Sequence, residues 1–151
     1  MILPRLTGRY RFETVASFYG ERVAFQVEKL DINAGEKIGV IGPIGAGKTT
    51  LLRLLSGMYK PGKGRITLDD VDLSHLSKPV IAENVGYLQQ EGRLFAGTLR
   101  DNLVLGLLDP GDEAILEAAR LTGLMTAVIA GHPKGLQQPI FEGGILSLIH
   151  I

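Results

Sequence analysis

Hydrophobic and polar residues alternate loosely along the first third of the chain, a pattern that predicts β-strands. The two clearest runs cover residues 9–18 and 23–32, and a turn at Gly20-Glu21 separates them. Strands joined by so short a turn pair as an antiparallel hairpin. A shorter apolar run, 37–41, leads directly into a glycine-rich loop and is predicted to be a further strand.

After residue 49 the apolar residues fall at helical spacing. Leucines at positions 51, 52, 54 and 55 share one face of a helix predicted over residues 50–58, and Pro61-Gly62 ends it. Further strands are predicted at 65–68 and 85–88, and further helices at 98–103, 113–121 and 124–130. This order predicts an α/β fold, with an antiparallel β subdomain built from the hairpin and a core in which strands alternate with helices.

Composition excludes several classes of function. With 151 residues and 45% hydrophobic side chains, the chain has the size and apolar content of one domain. Its 16 basic and 16 acidic residues cancel, so we expect no nucleic-acid partner and no polybasic membrane patch. The absence of cysteine excludes disulfides, thiolate zinc sites and cysteine nucleophiles. The first residues lack the plan of a signal peptide, and no apolar run approaches the roughly 18 residues that cross a bilayer, so we expect a soluble piece.

The strongest chemical signal is the glycine-rich loop, which satisfies the pattern G-x-x-x-x-G-K-[ST] between a predicted strand and a predicted helix. Glycines let the backbone curl so that N–H groups point at phosphate oxygens, and the helix that follows adds the positive end of its dipole. Lys48 places an ammonium against the β- and γ-phosphates, Thr49 offers a hydroxyl to Mg²⁺, and Pro43 has no N–H to donate. The predicted nucleotide-binding residues are Gly42, Pro43, Ile44, Gly45, Ala46, Gly47, Lys48, Thr49 and Thr50.

The loop motif alone is shared by kinases, GTPases and ATPases, and a second segment distinguishes between these classes. Residues 85–90, Val-Gly-Tyr-Leu-Gln-Gln, are followed at 94–102 by Leu-Phe-Ala-Gly-Thr-Leu-Arg-Asp-Asn. This pair of motifs resembles the Q-loop region of ABC exporter ATPases, which have a P-loop NTPase core. The resemblance implies that Gln90 helps to coordinate Mg²⁺ and the attacking water, and relays the nucleotide state to a membrane domain near residues 98–102. Gln89 stands where the family usually has proline, which leaves it as the alternative glutamine.

The same resemblance implies an aromatic residue upstream of the loop that stacks on the adenine of ATP. Tyr19 stands where that residue falls, just before the turn into the second strand. An aromatic ring offers a flat face for a base, worth roughly 1–3 kcal/mol. Phe18 and Tyr10 are the competing candidates. With these residues the predicted cofactors are ATP and Mg²⁺.

Three later stretches resemble the helical subdomain of ATPases fused to type I secretion exporters. They are Asp-Pro-Gly-Asp-Glu at 109–113, Leu-Thr-Gly-Leu at 121–124 and His-Pro-Lys-Gly-Leu at 132–136. The resemblance implies a transmembrane domain of the same transporter, fused N-terminally, and a second ATP-binding domain in a homodimer. It also implies a place on the cytoplasmic face of the inner membrane and the export of proteins or peptides.

The last residues depart from the family pattern. Leu146-Ser147 begins as the signature L-S-G-G-Q does, but Leu-Ile-His-Ile follows at 148–151. We therefore expect a partial ATP-binding domain at 1–145 and a non-native tail at 146–151, left either by deliberate shortening or by translation of a sequencing-transposon end. Such a piece is expected to bind nucleotide weakly and to hydrolyse almost none. The rival hypotheses are another P-loop enzyme, such as a small-molecule kinase, and a non-catalytic nucleotide-binding module.

Overall fold

The structure, a computed structural model, describes residues 5–90 and 92–141. The chain divides into two compact units, Met1–Tyr87 and Leu88–Ile151. The predicted tail at 146–151 and the residues after position 141 lie outside the described residues. In the described part, no helix has both the length and the apolar composition needed to span a bilayer.

An antiparallel sheet of four strands forms the frame of the first unit. The strands are β1 (Tyr10–Tyr19), β2 (Arg22–Ile32), β3 (Lys63–Leu68) and β4 (Val71–Asp72), in the spatial order β2-β1-β3-β4. β1 and β2 pair from Tyr10 opposite Ile32 to Tyr19 opposite Arg22, which confirms the predicted hairpin and its turn. The first unit contains helices as well as this antiparallel sheet, as the predicted α/β class requires.

Two α-helices and a short 3₁₀ turn complete the first unit. They are α1 (Lys48–Leu55), the 3₁₀ turn Leu73–His75 and α2 (Lys78–Asn84). The helical face predicted from the leucine spacing is only partly correct, because Leu51 and Leu54 are buried whereas Leu52 is exposed. The buried leucines of α1 join a core built on one face of the sheet, formed by Phe12, Val15, Leu51, Leu54, Ile66, Leu68 and Leu73.

The turn between β3 and β4 holds two aspartates in the left-handed region of backbone conformation. Asp69 has φ +51° and Asp70 has φ +64°, and the flanking Leu68 and Val71 are paired. Positive φ at both central residues is the geometry of a type I′ turn, which twists in the same sense as the strands it joins. Aspartate tolerates this region better than most residues because its short side chain forms local hydrogen bonds.

The second unit is built from short elements. They are β5 (Gly97–Thr98), α3 (Leu99–Val104), α4 (Asp112–Leu121), the π-helical segment Met125–Ile129, the 3₁₀ turn Gly135–Gln137 and β6 (Pro139–Ile140). β5 and β6 pair antiparallel. Leu99, Ala119 and Ile129 form the buried core of this unit.

Two runs predicted as strands, 37–41 and 85–88, are not strands in the structure. A strand needs a neighbour for its backbone hydrogen bonds, and neither run has a paired partner within residues 5–90 and 92–141. Most of their apolar side chains are exposed, with Ile41 and Leu88 each 98% accessible, whereas Val85 and Tyr87 are half-buried. All described strand pairs are antiparallel, so the alternation of strands and helices does not produce a parallel sheet here.

Candidate phosphate-binding site

The glycine-rich loop is closed by a tight turn immediately before α1. The N–H of Ala46 donates to the carbonyl of Pro43 at 3.1 Å, and Gly45, the third residue of this turn, has φ +83°. A positive φ at the third position is the geometry of a type II turn, which favours glycine. The backbone therefore curls as the motif predicts.

Gly47 joins the loop to the sheet. It occupies the position before α1 with φ +95°, and a Cβ built on it would come within 2.4 Å of the carbonyl oxygen of Ala24 in β2. Backbone and backbone meet here, so no side chain fits without moving the loop or the strand. This contact fixes the start of α1 against one end of the β1–β2 hairpin.

The N-terminus of α1 has the features of an anion site. None of the side chains that the structure describes caps it, and its first turn contains no acidic residue. The first N–H groups of any α-helix lack partners within the helix, and the helix dipole makes that end positive. These N–H groups belong to residues 48–50, so the local charge favours an anion beside the loop.

Lys48 folds back across the loop. Its Nζ donates to the carbonyl oxygens of Gly42 and Pro43, the second at 2.8 Å. The ammonium is therefore held beside the same backbone that curls around the helix N-terminus. A phosphate oxygen arriving there would meet a positioned cation and replace two neutral acceptors with a charged one, which makes the stronger hydrogen bond.

The donor set fits a nucleotide phosphate and Mg²⁺. Thr49 is exposed, Thr50 is half-buried, and Ile44 projects fully into solvent at the tip of the turn. Among the residues that the structure describes, no cluster of three or more His, Cys, Asp or Glu side chains could form a metal cage. The Thr49 hydroxyl is a hard oxygen donor of the kind that Mg²⁺ takes together with phosphate oxygens and waters.

Tyr19 lies at the end of the hairpin that faces the loop. It is the last residue of β1, pairs with Arg22, and is 86% exposed. Arg22 precedes Ala24, the residue in contact with Gly47, by two positions, a distance of about 7 Å along a strand. The exposed ring therefore belongs to the same end of the sheet as the glycine-rich loop.

The two competing aromatic residues are engaged elsewhere. The Lys63 ammonium lies over the Phe18 ring, 5.8 Å from the ring centroid, and the ring packs against Gly62. Tyr10 lies nine residues from Tyr19, about 30 Å along β1, and its hydroxyl donates to the carbonyl of Leu55 at 2.8 Å. Burial raises the pKa of Tyr10, and the negative charge of Asp69 raises it further.

The predicted glutamines belong to the second unit. Gln89 and Gln90 are both exposed and lie in an irregular stretch after α2. The first unit therefore contains Tyr19 and every predicted residue of the loop, and it does not contain Gln90. The contact between Ala24 and Gly47 was not predicted, because no local pattern marks a carbonyl that abuts a glycine of a distant segment.

Comparison with known proteins places this loop in a family. Residues 25–138 match the ABC transporter family, so the chain belongs to it. The mitochondrial iron–sulfur clusters transporter ATM1 of Chaetomium globosum is 37% identical over 97% of this chain, and a fatty acid ABC transporter ATP-binding/permease protein of Mycobacterium bovis is 38% identical over 97%. A solved structure of a bacterial Atm1-family ABC exporter with ATP bound covers 95% of the chain at 28% identity, with a TM-score of 0.77.

The matched region is only part of each relative. The chain corresponds to 24% of the C. globosum protein, 23% of the M. bovis protein and 25% of the solved exporter chain. It therefore spans about a quarter of the length of these relatives. The family match overlaps both units of the structure, from Phe25 within β2 to Gln138, directly before β6.

Proposed function

We propose that this chain is the MgATP-binding part of an ABC exporter ATPase, which couples ATP hydrolysis to transport across a membrane. The observation that carries the proposal is the loop at 42–47, where an uncapped helix N-terminus and the Lys48 ammonium converge on one concave stretch of backbone. This arrangement stabilises concentrated negative charge, as a triphosphate tail requires.

Each predicted residue has a role in this proposal. Lys48 neutralises the β- and γ-phosphates, Thr49 gives Mg²⁺ a hydroxyl oxygen, and backbone N–H groups at 44–50 hold phosphate oxygens. Tyr19 stacks on adenine, supported by its exposure and by the other engagements of Phe18 and Tyr10. Gln90 contributes a side-chain carbonyl to Mg²⁺ and the attacking water. Phosphoryl transfer then depends on positioning and on electrostatic stabilisation of the transition state.

Coupling to transport requires partners besides an ATP-binding domain. The proposal assigns this chain a transmembrane domain fused N-terminally and a second ATP-binding domain, with the nucleotide site on the cytoplasmic side of the membrane. The relatives compared above are named for iron–sulfur clusters and fatty acids. Protein or peptide secretion stays a prediction of the motifs at 109–136 alone.

Binding of MgATP to the purified chain tests the proposal. Lys48→Ala removes the ammonium and is expected to weaken binding of a fluorescent ATP analogue about tenfold or more, because hydrogen bonds to charged groups contribute roughly 1.5–3 kcal/mol. Lys60→Ala makes the same charge change at an exposed position of the same unit and should bind as the wild type does.

Two further measurements separate the rival functions. For the purified 151-residue chain we expect turnover of ATP close to that of Lys48→Ala. Transfer of phosphate from ATP to a small-molecule acceptor would favour a kinase instead. The proposal would be contradicted if the folded wild-type chain did not bind MgATP at millimolar concentration. It would also be contradicted if the Lys48→Ala variant bound MgATP as tightly as the wild type does.

A further inference from the structure

The segment that precedes β1 is tied to the first unit at two separate points. We call residues 6–9 the N-terminal segment. The Asp69 carboxylate accepts hydrogen bonds from Thr7, through both its N–H and its hydroxyl, and from the N–H groups of Gly8 and Arg9. The side-chain oxygen of Asn84 accepts the N–H of Leu6 at 2.9 Å.

The first anchor, at Asp69, ties the segment to the sheet. Asp69 stands in the type I′ turn between β3 and β4, and its own N–H donates to the carbonyl of Arg9 at 2.8 Å. Although burial alone raises its pKa, hydrogen bonds from Thr7, Arg9 and Gly8 hold the pKa of Asp69 below its usual range. The carboxylate is therefore ionised near neutral pH and holds these donors by charge-assisted bonds.

The second anchor, at Asn84, ties the segment to the end of α2. Asn84 is the last residue of that helix, and its side-chain amide also donates to the carbonyl of Val80 at 2.9 Å. Residues 85–89 follow without regular structure and lead to Gln90. A displacement of Asn84 therefore reaches the backbone that runs directly toward the predicted catalytic glutamine.

The hydrogen bond between Asn84 and Leu6 joins two segments that line the same cavity. This unit has a cavity of about 260 Å³ between the N-terminal segment and the start of 85–89, and its lining includes Leu6, Gly8, Asn84 and Gly86. A second cavity, of about 400 Å³, lies elsewhere in the unit. Open space flanks the two segments at this point, so a directional hydrogen bond joins them across an incompletely packed boundary.

We propose that Asn84 is a positioning residue that couples the N-terminal segment to the stretch 85–89 leading to Gln90. This inference rests on the proposed function, in which a membrane domain precedes the N-terminal segment. When the membrane domain moves the N-terminal segment, the position of residues 85–89 shifts with it. Nucleotide binding shifts the N-terminal segment in return, since coupling between two sites is reciprocal.

Amide hydrogen exchange in the 151-residue chain, resolved residue by residue by NMR, tests this coupling. Saturating MgATP is expected to slow exchange at 42–50 and to change exchange at Leu6 by about threefold or more, the lower range of coupling between contacting residues. Asn84→Ala should keep the response at 42–50 and lose the response at Leu6. Asn84→Asp should restore it, because its carboxylate still accepts the Leu6 N–H.

The two proposals fail in distinguishable ways. A response at 42–50 with none at Leu6 in the wild type, or an equal Leu6 response in Asn84→Ala, overturns the coupling alone. A chain whose residues 42–50 do not respond to MgATP overturns the proposed function, and the coupling is then decided without nucleotide by a second set of variants.

That second set perturbs the segment from the sheet side. Asp69→Gly removes the carboxylate that holds residues 7–9 and suits the positive φ of the turn. It should change exchange at 85–87 by about threefold or more, and this effect should vanish in an Asn84→Ala background. Asp70→Gly is the matched control, since it alters the same turn and, within residues 5–90 and 92–141, the Asp70 side chain makes just one polar contact, an ion pair with Arg9 at 4.0 Å. No change at 85–87 in Asp69→Gly, or a change that survives in the double variant, overturns the proposal.

Discussion

At the scale of single residues, side-chain size and exposure decide which positions serve the site. Position 47 is restricted to glycine because the carbonyl oxygen of Ala24 occupies the space of a Cβ. Position 19 carries an aromatic ring that is 86% exposed. When a base covers an exposed aromatic ring, apolar surface of the ring is removed from water, which is favourable. We therefore expect Tyr19 to contribute to ATP affinity.

We expect Tyr19→Ala to weaken MgATP binding about tenfold, because base–aromatic stacking contributes roughly 1–3 kcal/mol. Affinity for magnesium triphosphate, which has no base, should stay unchanged, and Tyr19→Phe should retain most of the ATP affinity. Competitive titration against a fluorescent nucleotide measures all three.

Two variants serve as controls for this prediction. Tyr59→Ala removes a tyrosine of similar chemistry from the loop after α1 and should bind ATP normally. A larger loss in Phe18→Ala than in Tyr19→Ala would assign the adenine contact to Phe18 instead.

At the scale of elements, local chemistry sets where helices begin. The side chain of Thr98 accepts the N–H of Asp101 at 3.0 Å, and the Asp101 carboxylate accepts the N–H of Thr98 at 2.8 Å. This reciprocal capping box starts α3. Arg100 then pairs with Asp109 and Asp112, which holds the loop between α3 and α4. The Thr98 start was predictable from sequence, whereas the pairing of Arg100 was not.

Thr98→Ala should lower the opening free energy of α3 by about 1 kcal/mol, the usual cost of losing a threonine cap. Native-state hydrogen exchange at residues 99–104 measures it, and Thr126→Ala, at an exposed position of the same unit, is the control. Equal exchange in the two variants would show that the cap does not stabilise α3.

The same box has a defined pH dependence. Hydrogen bonds from the backbone and side chain of Thr98 hold the pKa of Asp101 below its usual range. A depressed folded pKa adds stability that is complete above the unfolded value of about 3.9 and disappears as the pH falls through the folded value. The wild type should therefore lose protection of α3 in acid more steeply than Asp101→Asn does.

At the scale of the whole molecule, apolar surface near the loop is the main liability. Ile38, Val40 and Ile41 are exposed in a run that has no strand neighbour among the described residues. Contiguous exposed apolar side chains favour association between copies. We expect the purified chain to self-associate at micromolar to millimolar concentrations.

Ile38→Lys should reduce this association, because a charge in the exposed run opposes the stacking of copies. Light scattering across a concentration series measures the change. Leu121→Lys replaces a leucine that is also exposed but stands apart on α4, and it should associate as the wild type does. Equal behaviour of the two variants would mean that the run at 38–41 does not drive association.

The features that the sequence determined by itself are local ones. The hairpin, the glycine-rich loop and a helix beginning near residue 98 were predicted because each depends on residues that are close in sequence. A two-residue turn fixes strand register, glycines permit positive φ, and a threonine three residues before an acid caps a helix. Such interactions form within one segment, whatever surrounds it.

Tertiary structure decided everything that joins distant segments. The strands predicted at 37–41 and 85–88 were wrong, since a strand exists only when a neighbour accepts its hydrogen bonds. The sequence predicted Tyr19 as the aromatic residue of the site, with Phe18 and Tyr10 as competitors, but it could not show the contacts that each ring makes. The anchors at Asp69 and Asn84 bridge more than 60 residues of sequence, and no local pattern encodes a partner that folding alone brings within hydrogen-bonding distance.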